Sequence, residues 1–305
     1  MNLVDINLKL LRIYMAVVEM NGIANAQAAL NKDASTISRA IARLEEQLGL
    51  RLCERGRQGF ELTADGDQVY RQAVQLFGAL RSFRQHVSEL GTPAGGSLAI
   101  SMIDNLVSDP NCPLPLALQT LVRRYGADID ISLQVHTPAE AERQLAEKRV
   151  DVALGIFETP QAWLNYAPLY EEVDKLFCAP HSVVGQLLAA GADETAVRES
   201  LLEHDFVTRK FLNSSDLSSL AAQHRGEQIF SSNLEALVIL ILSGRYVGFV
   251  PQHFAEPYLQ QGRFVAVLAD QLEHKSRLQA AWTPAAGERA IVRELLQLLG
   301  AGRVT

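Results

Sequence analysis

Along the first ninety positions, apolar residues recur at the three-and-four spacing of helices. Leu8, Leu11, Tyr14, Val17 and Val18 share one side of a first helix, and Ile23, Ala26 and Leu30 one side of a short second. The "NKD" at 31–33 is long enough only for a tight turn, and Asp33 is a good N-cap for a third helix. That helix places Ile37, Ile41, Leu44 and Leu48 in a single stripe, with Gly49 as its stop. Two short alternating runs in "LRLCERGRQGFELT" flank "GRQG" and predict a β-hairpin, with Gly56 and Gly59 supplying the turn. From Thr63, a capping residue, to Leu90 a long helix carries Val69, Ala73, Leu76, Leu80, Phe83, Val87 and Leu90 in one seam. A head this small has little surface to cover so long a helix, so the seam predicts pairing with a second chain.

After "GTPAGGS" at 91–97, the clearest linker, the pattern changes to alternating strands and helices. "SLAISMI", "DISLQVH" and "VDVALGIF" are strands, separated by the helices "PLALQTLVRRYG" and "PAEAERQLAEK". In the second of these Thr137 caps, Pro138 takes the first helical position and Glu140 closes a capping box. A further set runs "DKLFCAP", "SVVGQLLAAG", "DFVTRKF", then "SSNLEALVILILSG" with Ser232 as its cap, then "RYVGFVP". "SRLQAAWTP" and the amphipathic "GERAIVRELLQLLG" close the chain. That succession predicts parallel βαβ units, arranged as two α/β lobes with a ligand cleft beyond their strand ends.

Composition narrows the function classes. The 305 residues suit two or three domains, and the longest apolar run, "ALVILIL", is too short to span a bilayer. The amino terminus lacks the pattern of an export signal. Three dispersed cysteines without CxxC spacing argue against disulfides or a zinc site and fit the cytoplasm. No spacing implies a metal or a cofactor. The net charge of −7 at first opposes nucleic acid, but residues 1–90 hold 11 basic and 10 acidic residues against 17 and 25 in the remainder. A near-neutral head on an acidic body is compatible with DNA only if the head's arginines cluster in space.

They do so along the third helix. A helix, a three-residue turn and a second helix form a helix-turn-helix, whose second helix enters the major groove. Opposite the apolar stripe stand Ser35, Thr36, Ser38 and Arg39, short groups able to reach base edges where the helix dipole also favours phosphate. Arg43, one turn on, suits the DNA backbone, and Arg55 and Arg57 at the hairpin tip form a wing. In the lobes, the strand ends nominate Ile103, Asp104 and Asn105, His136 and Thr137, Thr208 and Arg209, Ser231 and Ser232, and Phe249 as effector-binding residues. Thr137 and Ser232 have an ordinary explanation as helix caps.

"AVVEMNGIANAQAALNKDASTISRAIARLEEQLGLRLCERG", "LTADG", "VDVALG" and "GRYVGFVP" together resemble the LysR-type transcriptional regulators over essentially the whole chain. The resemblance implies an α/β fold class: a winged helix-turn-helix head at 1–62 and a linker helix at 63–91 that dimerises and often builds tetramers. It also implies a periplasmic-binding-protein-type-II-like effector domain, with one lobe at 92–161 and 268–305 and the other at 162–267. The implied partners are double-stranded DNA and a small-molecule effector. Ala24, Gln27, Lys32 and Ala34 depart from the family's usual pattern, so the DNA target cannot be borrowed from relatives.

Relatives that bind carboxylates often place Ser or Thr and backbone amides after the first strand. Asp104 would repel an anion there unless it paired with Arg209 or Lys210, which predicts an effector carrying an amine or hydroxyls, or a zwitterion. Two rivals differ in kind. An enzyme on the same fold needs a catalytic constellation, and no Ser-His-Asp, HExxH, P-loop or GxGxxG pattern occurs. A redox-sensing regulator would need an exposed, acidified thiol, and Cys112 has neither a nearby second cysteine nor a basic cluster.

Overall fold

The computed structural model describes residues 6–56, 59–91, 96–209 and 225–301. It divides into two compact units, 1–87 and 88–305.

In the first unit, α1 (Leu8–Glu19), α2 (Ile23–Leu30) and α3 (Ala34–Leu48) bury Tyr14, Val17, Ala26, Ile37, Ile41 and Leu44 in one core. Each boundary has a local cause. Asn7 caps α1 through the Lys9 and Leu10 amides, Asn31 ends α2 in the left-handed region, and Gly49 ends α3 at φ 67°. Strands β1 (Cys53–Gly56) and β2 (Gly59–Leu62) form the expected hairpin. Gly56 and Gly59 are its last described ladder pair rather than its turn residues. Arg57 and the Arg55 side chain lie outside the described residues.

Helix α4 (Ala64–Gly91) is rooted in the head. The Thr63 hydroxyl caps it by accepting from the Gly66 amide, and donates to the Arg51 carbonyl. Tyr14 Oη donates to the Gly66 carbonyl at 2.8 Å. A Cβ at Gly66 would stand 2.0 Å from the Leu52 carbonyl oxygen, so only glycine allows this approach. The predicted seam then divides. Ala73 is buried on the head, whereas Leu76, Leu80 and Phe83 are 38%, 37% and 67% exposed. The Val87 and Leu90 side chains lie outside the described residues, as do residues 92–95 of the linker.

The second unit is built on one mixed sheet. Its first lobe alternates β3 (Gly96–Met102), α5 (Leu114–Tyr125), β4 (Ile129–Val135), α6 (Pro138–Ala146) and β5 (Val152–Ile156), with β4 and β5 parallel to either side of β3. The chain leaves along the long β6 (Asn165–Cys178) into α7 (Val183–Ala189), α8 (Glu194–Glu203), β7 (Asp205–Arg209) and β8 (Gln228–Ser231). It continues through α9 (Leu234–Leu242), β9 (Tyr246–Pro251), α10 (Gln252–Gln260) and β10 (Val265–Ala266). The return is β11 (Glu273–Trp282), followed by α11 (Pro284–Gly287) and α12 (Ala290–Leu298). Strand order is β4-β3-β5-β11-β6-β9-β7-β8, with β10 on β6.

Parallel units therefore occupy each flank, as the succession of elements predicts, and an antiparallel centre joins them. There β11 runs antiparallel to both β5 and β6. The physical reason is connectivity: one chain must travel out to the second lobe and back, and two adjacent long strands do so as a ladder with one bulge between Leu278 and Gln279.

The lobes have separate cores. Leu98, Ile100, Leu154 and Leu295 lie in the first; Leu176, Val247 and Phe249 in one part of the second; Val207, Leu237 and Ile241 in another.

Candidate functional site

Two sites can be built from the sequence upward, one in each unit. In the head, Asp33 organises the start of α3. Its carboxylate accepts from the Thr36 amide at 2.8 Å, from Ser35 Oγ at 2.6 Å and from Thr36 Oγ1 at 2.8 Å. Those hydrogen bonds hold its pKa far below the ordinary carboxylate range, so the cap stays charged. Arg39 reaches back one turn, with Nε on the Ser35 carbonyl at 3.3 Å and Nη2 at 3.4 Å from both hydroxyls. Ser35, Thr36 and Arg39 thus form one polar cluster, and Ser35, Arg39 and Arg43 are exposed. Ser38 is half-buried at the edge of that face.

Sequence reasoning missed Glu45. Its Oε1 accepts from the Leu52 amide at 2.8 Å and the Cys53 amide at 3.3 Å, tying the recognition helix to the first strand of the wing. An acid on a helix in a DNA-reading head is easily taken for surface.

In the second unit, Asp104 Oδ2 accepts from the Leu234 amide at 2.6 Å, so a carboxylate from the first lobe sits on the N-terminus of α9 in the second. Asp104 therefore does not take up Arg209 by hydrogen bonding, the condition under which it would cease to repel an anion. Arg209 is buried and donates instead to Glu172 Oε2 at 3.0 Å and to Asp174 at 2.9 and 3.1 Å. Lys210 lies outside the described residues. Burial would raise the Glu172 pKa, but hydrogen bonds from His253 and Arg209 and their charges outweigh it, and the group ends lower than usual. Asp174 shares the same guanidinium while completely buried, and is pushed up to about 7.

The remaining nominated residues divide by burial. Ser101, not nominated, is buried, and its hydroxyl lies 3.0 Å from Nδ1 of the half-buried His136. Asn105 turns the chain at φ 64°, and its carbonyl accepts from the Ser108 amide and hydroxyl. Thr137 is exposed and caps α6, accepting from the Glu140 amide at 3.4 Å. The capping box is only half formed, since the Glu140 carboxylate turns to Arg143 and Gln144.

Asn233, not Ser232, caps α9 through the Ala236 amide. The buried Ser231 Oγ braces that cap by donating to the Asn233 carbonyl, and Ser232 is exposed. Ile103 and Phe249 do not join a site: they are 1% and 4% exposed and belong to two hydrophobic cores. Thr208 is likewise buried. A strand-end position marks where a cleft opens, but the two-residue alternation decides which side chain faces it.

Three residues that the sequence pattern does not mark meet at one edge of the cleft. His253 Nε2 lies 3.5 Å from Asp109 Oδ2 and 3.4 Å from Glu172 Oε1, beside a cavity of about 520 Å³. The thiols speak against redox sensing. Burial pushes both Cys112 and Cys178 above the ordinary range, opposite to what a reactive thiolate requires. Among the described residues, no helix is long and apolar enough to cross a membrane.

Comparison with known proteins gives the same division of the chain. Residues 8–67 match the family model described as "Bacterial regulatory helix-turn-helix protein, lysR family", and residues 92–303 match the "LysR substrate binding domain". The chain is 31% identical over 270 residues to the HTH-type transcriptional activator BauR of Pseudomonas aeruginosa, covering 88% of this chain and 87% of that protein. Among solved structures, CbnR, a LysR family transcriptional regulator, aligns with a TM-score of 0.66 at 17% identity, over 97% of this chain and 98% of that one. The Vibrio cholerae virulence activator AphB aligns at 0.58 and 20% identity, over 96% and 98%. These relatives are regulators rather than enzymes. A helix-turn-helix head with a polar outer face, a two-lobed effector domain and relatives matched along nearly the full length place this chain in the LysR family of DNA-binding transcriptional regulators.

Proposed function

We propose that the chain reads DNA with the outer face of α3 and is regulated by an effector that does not place an anionic group on the N-terminus of α9. The observation that carries the first half is the Ser35–Thr36–Arg39 cluster, with Ser35 and Arg39 exposed and Arg43 exposed one turn on, opposite a stripe packed on the head's core. Ser35, Thr36, Ser38 and Arg39 supply discrimination at base edges; Arg43 and the wing arginines Arg55 and Arg57 supply salt-dependent affinity. The bare Leu76, Leu80 and Phe83 of α4 supply the dimer seam, giving two reading heads on a two-fold site, and pairs of dimers give a tetramer. With DNA as its target, the protein works in the cytoplasm. The decisive test is a mobility shift on the chain's own promoter fragment with Arg39 and Arg43 both changed to alanine. Binding weakens about a hundredfold or more, at one to three kcal/mol per contact, while the melting temperature holds; wild-type affinity in the variant would sink the reading.

The second half rests on Asp104. A helix N-terminus is the natural seat for a ligand carboxylate, and here the protein's own carboxylate occupies it. Arg209 feels the Asp104 charge but gives its hydrogen bonds to two buried carboxylates, Glu172 and Asp174. An amine, hydroxyls or a zwitterion held by its cationic end suits such a cleft. Calorimetry with Asp104→Ser reads this directly: the variant gains affinity for carboxylates relative to amines, and an unchanged preference counts against the assignment.

A further inference from the structure

The structure assigns a divalent metal site to Asp109, Glu172 and His253, with one ligand atom from each converging at the edge of the interlobe cavity. Asp109 comes from the loop after β3, Glu172 from β6 and His253 from the first turn of α10, so the ligands are drawn from segments far apart in sequence. In each residue the converging atom is the one its structural partner leaves over. Asp109 Oδ1 accepts from the Asn111 amide at 2.8 Å, leaving Oδ2. Glu172 Oε2 accepts from Arg209, leaving Oε1. His253 Nδ1 is 3.0 Å from Ser108 Oγ, leaving Nε2. A metal binding at Nε2 would displace any proton there and leave Nδ1–H donating to that hydroxyl, the outer-shell arrangement usual for metal-bound histidine.

The spacing admits an ion, since the three ligand atoms all lie within 4.8 Å of one another. The 3.4 Å hydrogen bond from Nε2 to Glu172 and its 3.5 Å approach to Asp109 are at the long end of the range, weak contacts that a bound ion replaces. Ligands about 2.0–2.1 Å from a tetrahedral zinc-sized ion stand about 3.4 Å apart. Burial separates this cluster from ordinary surface acids: the side chains of Asp109, Glu172 and His253 are only 2%, 3% and 12% exposed. The cavity beside them is lined by four carboxylates, Asp109, Glu171, Glu172 and Glu256, and by no lysine or arginine. Ser276 adds a separate sign. It is the register partner of Glu172 on the same face of the sheet, 4% exposed, and its hydroxyl finds no hydrogen-bond partner among the described residues. Three protein ligands leave a position open to the cavity for water or a donor atom of a small molecule, as in metal sites that bind exchangeable groups. Bound there, the ion braces the loop after β3, the lobe-crossing strand β6 and helix α10 against one another. The site is independent of how the head reads DNA, and its test uses no DNA.

The full-length chain, stripped with a chelator, is titrated with Zn²⁺ by calorimetry and with Co²⁺ by visible absorption. One ion binds per chain, with a Co²⁺ spectrum lacking thiolate charge transfer and a raised melting temperature. Asp109→Asn and His253→Gln each weaken binding at least a hundredfold, and Ser108→Ala, which removes only the outer-shell hydroxyl, weakens it about ten- to a hundredfold. Melting of the metal-free variants checks their fold; should His253→Gln fail to fold, Asp109→Asn and Ser108→Ala decide. Absence of stoichiometric binding to the wild type, a thiolate band, or wild-type affinity in the folded variants overturns the assignment.

Discussion

The head and the effector domain use the same side chain in opposite ways. In the head, Arg39 is exposed and holds only long contacts of 3.3–3.4 Å within its own helix. In the effector domain, Arg209 is completely buried between Glu172 and Asp174, and Arg289 lies under the sheet on Asp151 at 2.6 Å and on the Ser97 carbonyl. A guanidinium that must meet a phosphate or a guanine has to keep its fork available until the partner arrives. One placed where two lobes join does the reverse, neutralising carboxylates that burial would otherwise make untenable. Charge counting along the chain cannot tell the two kinds apart, since both are single arginines in mixed surroundings. Burial can.

That contrast can be broken most forcefully at Arg209. Changing it to leucine leaves Glu172 and Asp174 buried without a cation and costs about 3–5 kcal/mol, read as a shift in the urea midpoint of the effector domain. An unshifted midpoint would mean the arginine is not committed to that pair. The corresponding weak point of the head is Gly66. Gly66→Ala drives a methyl against the Leu52 carbonyl and costs about 2–3 kcal/mol, loosening α4 and the head together while the effector domain's transition stays in place. Separate loss of the two transitions in these variants sharpens the comparison, and simultaneous loss would refute it.

The smallest effect concerns His204, at the end of α8. Burial holds its imidazole below the ordinary histidine range. The unfolded chain therefore takes up a proton that the folded chain refuses, and stability falls as pH drops below the unfolded-state pKa of about 6.5. His204→Asn flattens this acid slope between about pH 7 and 5, as melts across that window will report. An unchanged slope would locate the acid sensitivity elsewhere.

Much of the head was legible because its signals are local. The stripe of α3, Asp33 as cap and Gly49 as stop each depend on residues within a turn or two, and all three stand in the structure where their spacing puts them. The exposed part of the α4 seam, Leu76 to Phe83, was legible for the same reason. Long-range polar structure was not. Strand β6 runs fourteen residues, but Glu171, Glu172, Asp174 and Lys175 disguise its middle as surface, so only its end reads as a strand in the sequence. Glu172 and Asp174 fall on one face, and nothing nearby in sequence announces the arginine thirty-five residues away that makes them buriable. Ser232 and Asn233 show the same limit on a small scale. Both are good caps, and only the backbone at Asn233, extended with φ −149° and ψ 164°, decides between them.

The joint where Tyr14 meets Gly66 has a mechanical corollary. With Thr63 fastened to Arg51 and Tyr14 seated on the first turn of α4, the root of that helix has no free pivot against the three helices it serves. Torque applied farther along the rod reaches α3 as a turn of the entire DNA-facing module, not as a bend at its base. Small twists of the shaft are thereby converted into displacements of the outer face of α3, in proportion to its distance from the shaft's axis.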